Sequence, residues 1–280
     1  MEDLMKSMQA LLEQPAKEED YMDEEGFLCC GKCHTRKEVL FDVPLVLGGR
    51  IMDRHPTNCR CLQEKLDKQD AESSRRDHEC TVNRLKSVCF TAPSLKEHCF
   101  ENATMVPPEI LKMAHDFVDR WDEIKKANGG LIFWGPNGTC KSYTAECIAN
   151  ALMEREVSVL MRSTAYFTSA DFEDVNELCR DINRYELVIF DDLGAERGTE
   201  YGMEVMFLAI NARCESGKPT IFTTNLTLDE LKNARDLAHR RIYDRVLEMG
   251  VPIYFGGNSV RRDIHRRKLE TFQKVFKGGE

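Results

Sequence analysis

A glycine-containing turn between an apolar segment and a Lys-Ser pair is the part of the sequence best suited to phosphate chemistry. It reads LIFWGPNGTCKS over residues 131–142. Backbone N–H groups of such a turn converge on phosphate oxygens, and the positive end of the following helix points at the same place. Lys141 is expected to reach the β- and γ-phosphates, and Ser142 to give its hydroxyl to Mg²⁺. The predicted nucleotide-binding residues are Gly135, Pro136, Asn137, Gly138, Thr139, Cys140, Lys141 and Ser142.

One position departs from the usual pattern of a phosphate-binding loop. The pattern G-x-x-x-x-G-K-[ST] has glycine before the lysine, where this chain has Cys140. A side chain there crowds the phosphates, and if the position requires a positive φ it costs about 1 kcal/mol. Such a penalty weakens nucleotide binding without abolishing it, so we expect a working site. A loop with only a structural role is the alternative.

Acidic and amide side chains end two later apolar segments. LVIFDD ends in Asp191 and Asp192, 50 residues after Lys141. Two carboxylates at the carboxyl end of a strand are placed to hold Mg²⁺ and to orient a water. We assign Asp191 to the metal and Asp192 to the water; Glu196 is a second candidate for the water, although a solvated surface acid is its ordinary explanation. TIFTTN ends in Asn225, whose amide is suited to hold that water or to sense the γ-phosphate.

Three arginines near the end of the chain are further candidates. HRRIYDRV places Arg241 and Arg245 on one helical face at a spacing of i, i+4. Arginines on a helix are usually solvated, but in a nucleotide-dependent assembly one of them is suited to reach a neighbour's γ-phosphate. Arg261 follows the last apolar segment, and we expect it to fold back onto the nucleotide of its own chain.

Two close cysteine pairs near the start of the chain have the spacing of metal ligands. A CxxC pair and a CxC pair are separated by 25 residues. Two thiolate pairs suit tetrahedral zinc, and four cysteines leave no open position for water, so the predicted zinc is structural. Cys29 and His34 are alternative ligands, and free buried thiols are the alternative to a metal. The predicted zinc ligands are Cys30, Cys33, Cys59 and Cys61.

An alternation of strands and helices is predicted to position the phosphate-binding residues. Strand, helix, strand, helix at this spacing indicates an α/β fold with a parallel sheet covered on both faces. The binding site is then expected at the carboxyl ends of the strands. The predicted strands are Leu131–Trp134, Val157–Met161, Leu187–Phe190, Thr220–Thr224 and Pro252–Phe255. The predicted helices are Ser142–Glu154, Thr164–Tyr185 with a break, Tyr201–Cys214 and Leu237–Met249.

Composition sets outer limits on the function. The chain has 280 residues, 42% of them apolar and 31% charged, with a net charge of −9. No apolar run approaches the roughly 20 residues that cross a bilayer, so we predict a soluble protein with no membrane partner. The negative charge excludes a general polyanion binder of the histone kind. Twelve cysteines without a basic and apolar leader indicate a reducing compartment, and the cytoplasm is the predicted location.

The sequence divides into four predicted parts. Residues 1–26 are acidic, with a local charge of −7, and contain a short amphipathic helix that packs on its own domain or docks on a partner. Residues 27–66 form the cysteine module, residues 67–83 a linker or exposed helix, and residues 84–280 the phosphate-binding domain. The last stretch, residues 232–280, has a charge of +6. Any nucleic-acid surface is therefore expected to be local.

The ordered motifs GPNGTCKS, IFDDLG, IFTTN, RRIYDR and NSVR resemble those of the AAA+ ATPases of the bacterial and phage helicase-loader group (DnaC-like). The IstB-like transposition helpers are near relatives. The resemblance covers about residues 84–274 and implies an AAA+ P-loop core with a five-stranded parallel sheet, which binds ATP and Mg²⁺ and hydrolyses ATP weakly. It also places Phe100 and Asn102 near the adenine.

The resemblance also implies roles for single residues. Lys141 and Ser142 take the P-loop roles, and Asn225 the sensor position of the fourth strand. Arg241 or Arg245 becomes the finger in trans, with a weak preference for Arg245. The remaining assignments are Asp191 and Asp192 as the acidic pair and Arg261 as the second sensor.

Three functions remain open from the sequence. The first is a loader that binds single-stranded DNA, self-associates and places a hexameric replicative helicase on DNA; the cysteine module resembles the amino-terminal part with which phage loaders meet the helicase. The second is a transposition helper that prefers duplex DNA. The third is an adaptor that does not hydrolyse ATP because Cys140 disables the nucleotide site.

Overall fold

The computed structural model of the chain separates into two compact units, residues 1–78 and 79–280. Each unit is described by itself below. The described residues are 20–47, 50–169, 175–195, 199–234 and 236–277.

Two sequence predictions lie outside the described residues. One is the amphipathic helix expected at the start of the acidic segment 1–26, of which only residues 20–26 are described. The other is Glu196, the second candidate for activating a water. Both stay predictions.

Short antiparallel strands and one helix make up the described part of the first unit. Strand β1 (Tyr21–Met22) pairs with β2 (Leu28–Cys29), and β3 (Glu38–Leu47) pairs with β4 (Arg50–Pro56). Helix α1 (Arg60–Cys89) follows, and the boundary between the two units falls within it. Residues 67–83, predicted as a linker or an exposed helix, lie within this helix, and most of its charged side chains are exposed.

The first unit buries few apolar side chains. Among its described side chains, the buried apolar ones are Phe27 and three cysteines. Two guanidinium groups cover the Phe27 ring, with Cζ of Arg36 and Arg54 at 4.1 and 4.3 Å from its centroid. Lys37 adds an ion pair with Asp20 at 2.6 Å. A metal is one way in which a small unit supplements an apolar core as limited as the one these described side chains form.

A parallel sheet of five strands organises the second unit. The strands are ordered β6-β7-β8-β5-β9, and every neighbouring pair is parallel. β5, the first strand of this sheet along the chain, therefore lies between the last two, and the loops that follow β5, β7 and β8 meet at one edge of the sheet. The strands are β5 (Gly130–Trp134), β6 (Val159–Ser163), β7 (Leu187–Leu193), β8 (Thr220–Thr224) and β9 (Gly250–Tyr254).

Nine helices accompany these strands within the described residues. Two 3₁₀ turns, Pro93–Glu97 and Phe100–Asn102, precede them. The helices are α2 (Pro108–Asp119), α3 (Trp121–Lys126), α4 (Lys141–Met153), α5 (Thr164–Ser169), α6 (Val175–Arg184), α7 (Glu200–Ser216), α8 (Leu228–Lys232), α9 (Leu237–Met249) and α10 (Val260–Lys277).

Two apolar clusters cover the two faces of the sheet. Successive side chains of a strand point to opposite faces. Phe133 accordingly packs in one cluster and its neighbour Ile132 in the other. In the second cluster the rings of Phe190 and Phe222 stack at 5.3 Å between centroids. Both faces of the central strands are therefore buried, which explains the continuous apolar runs Leu131–Trp134 in β5 and Leu187–Phe190 in β7.

The prediction of a parallel sheet flanked by helices is confirmed. Each predicted strand overlaps an observed one, and α9 has its predicted bounds. The predicted helix over 164–185 is two helices, α5 and α6. None of the described helices is long and apolar enough to cross a membrane.

Candidate nucleotide-binding site and cysteine cluster

The turn between β5 and α4 wraps around the lysine that opens the helix. The Lys141 ammonium is buried and donates to the carbonyl oxygens of Gly135 and Pro136, each at 2.8 Å. It also donates to Oδ1 of Asn225 at 2.8 Å. This contact joins the predicted phosphate-binding lysine to the predicted sensor residue at the end of β8.

Two glycines make the turn possible. Gly135 has φ of 139°, and a Cβ there would lie 2.3 Å from the carbonyl oxygen of Phe255. Gly138 has φ of 84°, and a Cβ there would lie 2.2 Å from Oγ of Ser259. Both positions therefore exclude a side chain, as a loop that brings its backbone close to a ligand requires.

Cys140 occupies the left-handed region that the sequence pattern reserves for glycine. Its φ is 69° and its ψ is 23°. A β-carbon in this conformation costs on the order of 1 kcal/mol. The position therefore has the positive φ on which the predicted penalty depends. The thiol lines the cavity above the turn, and burial raises its pKa. It is therefore a neutral group beside the helix N-terminus.

The acidic pair sits in an irregular end of β7. The register between β7 and β8 shifts after Phe190, and Asp192 has φ of 57°. Thr223 of β8, fully buried, fixes both aspartates: its hydroxyl donates to Oδ1 of Asp191 at 2.6 Å and accepts from the backbone N–H of Asp192 at 2.9 Å. Thr164 donates to the carbonyl oxygen of Asp192 at 2.9 Å. The pair is thus held from two neighbouring elements.

Burial disfavours the charged forms of Lys141 and Asp192, and a nearby phosphate and cation would offset that cost. Burial lowers the pKa of Lys141, although the nearby Asp192 opposes the shift. Burial and the charge of Asp191 raise the pKa of Asp192, and Lys141 opposes that shift. A buried ammonium gains from a nearby anion, and a buried carboxylate gains from a nearby cation. The residues therefore fit a nucleotide phosphate together with Mg²⁺.

A cavity of about 440 Å³ brings most of the predicted residues together. Four other predicted residues do not line this cavity. Asp191 accepts a hydrogen bond from Thr223, and the other three, Gly135, Pro136 and Thr139, belong to the turn itself. The predicted residues that line the cavity are Asn137, Gly138, Cys140, Lys141, Ser142, Asp192, Asn225 and Arg261.

Three predicted residues lie elsewhere. Arg241 stacks over the Phe207 ring with Cζ at 4.0 Å from the centroid, and Arg245 pairs with Glu248 at 2.7 Å. Neither lines the cavity. Phe100 packs against the His115 ring at 4.2 Å, so that of the two residues expected near the adenine only Asn102 lines the cavity.

Sequence reasoning missed three side chains of the cavity wall. His98 bonds Oε2 of Glu146 at 2.5 Å, and its ring lies 4.5 Å from that of Tyr143. Burial raises the pKa of Glu146. Glu146 and Tyr143 lie on α4 within two helical turns of Lys141. This closeness in the sequence could have indicated that they line the same cavity. His98 comes from a distant segment and has no local motif.

The four predicted zinc ligands meet in the first unit. Their sulfur atoms all lie within 4.8 Å of one another, with the sulfurs of Cys59 and Cys61 at 3.4 Å and those of Cys30 and Cys61 at 3.7 Å. Tetrahedral zinc with bonds of about 2.3 Å requires sulfurs about 3.8 Å apart. The set Cys30, Cys33, Cys59 and Cys61 therefore matches such an ion without rearrangement of the backbone.

Hydrogen bonds accepted by Thr35 join the two segments that carry the cysteine pairs. Its carbonyl oxygen accepts from the backbone N–H of Cys30 at 2.9 Å, and its hydroxyl accepts from the N–H of Arg60 at 3.0 Å. The same hydroxyl lies 3.1 Å from the sulfur of Cys33 and lowers the pKa of that thiol to about 5. Contact with Cys59 raises the pKa of Cys61 to about 12.

Neither alternative ligand belongs to the cluster. The Cys29 thiol points to Oδ2 of Asp23 at 3.8 Å, and burial raises its pKa. The His34 ring bonds the Tyr21 hydroxyl at 3.2 Å. Among the described residues, the four-cysteine set is the one whose ligand atoms come together.

Comparison with known proteins finds similarity to proteins named as replicative helicase loaders. No family model matches it. The "Replicative helicase loader DnaI" of Bacillus subtilis (strain 168) is 26% identical over 235 residues, 78% of this chain and 72% of DnaI. The "Replicative helicase loader DnaC" of Escherichia coli (strain K12) is 27% identical over 144 residues, 49% of this chain and 56% of DnaC. The chain thus spans little more than half the length of DnaC.

A solved structure shows the same fold. The crystal structure of DnaI superposes with a TM-score of 0.52 at 23% sequence identity, covering 63% of this chain and 98% of that chain. Over the matched 63% of its length, the chain therefore shares the fold of that structure.

Proposed function

Because the chain belongs to the DnaC-like AAA+ ATPase family, we propose that it is an ATP-dependent loader of a hexameric replicative helicase. The observation that carries the proposal is the convergence of five separate segments on one cavity: the segment before α2, the phosphate-binding turn with α4, the end of β7, the end of β8 and the start of α10. A nucleotide held by all five would couple their positions to its own state.

The residues of the turn would bind the triphosphate. Its backbone N–H groups and Lys141 would hold the phosphates, and the Ser142 hydroxyl and Asp191 carboxylate would hold Mg²⁺. Bound Mg²⁺ supplies charge neutralisation on the phosphate oxygens. Thr223 fixes the position of the Asp191 carboxylate through its 2.6 Å hydrogen bond.

Hydrolysis would depend on residues at the far side of the cavity. Asp192 orients and deprotonates the attacking water, and its raised pKa makes it a stronger base than an ordinary aspartate. Asn225 holds that water or senses the γ-phosphate. Arg261 contacts the nucleotide of its own chain, while Arg245, or else Arg241, reaches the nucleotide of a neighbouring copy. We expect slow turnover, which suits a switch.

The cysteine cluster would hold structural zinc and present the first unit to the helicase. Four thiolates leave no position for water, so the ion serves folding and not catalysis. Support comes from the sulfur geometry and from the small apolar core of this unit. The role in helicase contact rests on resemblance to phage loaders.

Single-stranded DNA is the proposed nucleic-acid ligand, and the bacterial cytoplasm the proposed location. The net charge of +6 over residues 232–280 favours contact with a phosphate backbone. The relatives named as replicative helicase loaders favour this role over the transposition helper.

One observation favours a second candidate, an adaptor that does not use ATP. Cys140 is strained at φ of 69° and lines the cavity where the phosphates are expected. If this side chain blocks the site, only the protein contacts of the chain remain functional.

The test is a titration of labelled single-stranded DNA with the full chain, with and without Mg-ATP at fixed salt. The loader binds more tightly with ATP, and Lys141→Ala loses that gain. No effect of ATP favours the adaptor. A preference for duplex over single strands favours the transposition helper.

A further inference from the structure

The nucleotide cavity has two ends with different chemistry. At one end the Lys141 ammonium bonds Asn225 at 2.8 Å, among the groups that suit phosphates and Mg²⁺. Glu146 follows Lys141 on α4 and lies about 7.5 Å farther along the helix axis, at 1.5 Å per residue. A nucleotide whose phosphates lie at Lys141 has this second end available for its base. We call it the base end; its residues are His98, Asn102, Ala103, Met105, Tyr143 and Glu146.

The base end contains a buried carboxyl group. The Glu146 side chain is 9% exposed, and its Oε2 lies 2.5 Å from Nδ1 of His98. Within the described part of the chain, His98 is the residue that hydrogen-bonds this carboxyl group. An ionised carboxylate only accepts hydrogen bonds, so His98 is the donor of this pair. Oε1 and the second lone pair of Oε2 are left to accept from a ligand in the cavity.

The surroundings of Glu146 make further donors favourable. Burial raises the pKa of this carboxyl group, the hydrogen bond from His98 opposes the shift, and the charge of Asp191 adds to it. Each N–H group that points at a buried carboxylate stabilises the charged form. A ligand that brings N–H donors to the base end therefore gains more there than it would at an exposed acid.

Contacts around His98 fix the direction of the carboxyl group. The His98 ring packs against the Tyr143 ring at 4.5 Å between centroids. Nδ2 of Asn150, a buried residue of α4, donates to the carbonyl oxygens of His98 and Leu95, each at 2.9 Å. The acceptor atoms are thus in place before a ligand arrives, which lowers the ordering cost of binding.

We propose that the base end binds guanine, so that guanine nucleotides occupy the same cavity as ATP, with Glu146 accepting hydrogen bonds from the base. Guanine carries two neighbouring donors, the ring N1–H and the 2-amino group, which match the two oxygens of one carboxylate. Such bidentate, charge-assisted pairs are among the strong hydrogen bonds of proteins. The Asn102 amide lines the same end and is suited to donate to the guanine O6.

Adenine fits this carboxylate less well. Its 6-amino group is a donor, but the ring nitrogens on either side of that group, N1 and N7, carry lone pairs. A carboxylate that accepts from the amine brings its second oxygen toward one of those lone pairs. ATP therefore has one base hydrogen bond to Glu146 where GTP has two. This inference rests on the proposed function, because it requires that the turn at Lys141 binds a triphosphate.

Competition among nucleotides tests the inference on the unaltered full chain. ATP, GTP and ITP each displace a fluorescent ATP analogue in the presence of Mg²⁺; ITP carries guanine without the 2-amino group. We expect GTP to compete at least as well as ATP, and ITP to compete about tenfold less well than GTP, since it lacks one hydrogen bond to a charged group. Equal competition by GTP and ITP overturns the role of Glu146.

Glu146→Gln separates base recognition from a structural role. The amide keeps the size of the side chain but replaces one acceptor by an N–H₂ donor, which opposes the guanine donors and pairs with the amine and ring nitrogen of adenine. The ratio of ATP to GTP affinity should therefore rise about tenfold or more. Equal weakening of both nucleotides would mean that Glu146 acts only on the fold and would contradict the inference.

Glu154→Gln is the matched control. It makes the same substitution on the same helix, at an exposed side chain that does not line the cavity. Both affinities should stay unchanged. The comparison of GTP with ITP needs no substitution, so it decides the matter even if Glu146→Gln does not fold.

The two proposals fail in different ways. If the unaltered chain binds neither ATP nor GTP, the proposed function fails and the inference fails with it. If the chain binds ATP but GTP competes more than about tenfold less well, only the inference about guanine fails.

Discussion

The two units relate to their candidate ligands in opposite ways. In the described part of the first unit, Phe27 is the one buried apolar side chain besides cysteines, and the four sulfurs lie where a core would be. In the second unit the cavity lies at the edge of a sheet whose two faces carry complete apolar clusters. We therefore expect the ligand of the first unit to be part of its fold and the ligand of the second unit to bind beside a fold that is already complete.

This difference gives the two candidate ligands different roles: the metal would stabilise the fold of its unit, and the nucleotide would switch the positions of the elements that bind it. A metal that replaces an apolar core cannot leave without unfolding its unit. A nucleotide bound beside an intact core can come and go, and it moves the elements that touch it.

Removing zinc should unfold the first unit and spare the second. Binding of structural zinc is worth on the order of 10 kcal/mol in comparable small sites, and the apolar core of this unit cannot replace it. We expect a strong chelator, or Cys30→Ser, to abolish the melting transition of the first unit in calorimetry. Metal analysis should give one zinc per chain before treatment.

Cys29→Ser is the matched control, since its thiol points to Asp23 and lies outside the cluster. It should keep the zinc. One cooperative melt that a chelator leaves unaltered would contradict the contrast between the units.

Arg245→Ala should stop hydrolysis and spare ATP binding. Arginine fingers in related phosphoryl-transfer enzymes contribute about 10³- to 10⁵-fold to turnover, and Arg245 does not line the cavity of its own chain. Phosphate release and binding of a fluorescent ATP analogue measure the two properties separately. If Arg245→Ala hydrolyses ATP normally and Arg241→Ala does not, Arg241 is the finger.

Lys141→Ala should weaken ATP binding without unfolding either unit. A hydrogen bond to a charged group is worth about 1.5–3 kcal/mol, which predicts a loss of about 10- to 150-fold in affinity. Isothermal titration measures it, with Lys126→Ala, an exposed lysine of α3, as the control. A fall in the melting temperature that matches the loss of affinity would mean that the lysine acts on the fold.

Cys140→Gly should have the smallest effect. Relief of the left-handed strain is worth about 1 kcal/mol, which raises the melting temperature of the second unit by about 2–4 °C. We also expect about fivefold tighter ATP binding, because the cavity loses a side chain. Cys140→Ala keeps a Cβ at the same φ and should show no gain in melting temperature; an equal gain would show that strain is not the cause.

Local motifs predicted the parts of the site that lie next to each other in the chain. The phosphate-binding turn, the pair at Asp191 and the cysteine pairs each carry their ligands within a few residues, so that spacing alone indicates the chemistry. The strands of the second unit were predictable because each contains a short apolar run, which is longest in the central strands, whose two faces are both buried.

Long-range partners could not be read in this way. Thr223 is an ordinary strand threonine until the register of β8 sets it beside the aspartates. His98 becomes a wall residue only when the segment before α2 packs on α4. Arg213 looks like a surface arginine of α7, yet it is fully buried, binds backbone carbonyl groups at the ends of neighbouring segments, and has its pKa lowered to about 10 by burial.

Titration of the full chain with ATP and Mg²⁺ in a calorimeter shows whether ATP operates this protein. We expect one saturable site per chain, weakened in Lys141→Ala and strengthened in Cys140→Gly. If the unaltered chain binds no nucleotide and Cys140→Gly does, the cysteine has closed the site and the chain is an adaptor, which would contradict the claim that ATP operates it.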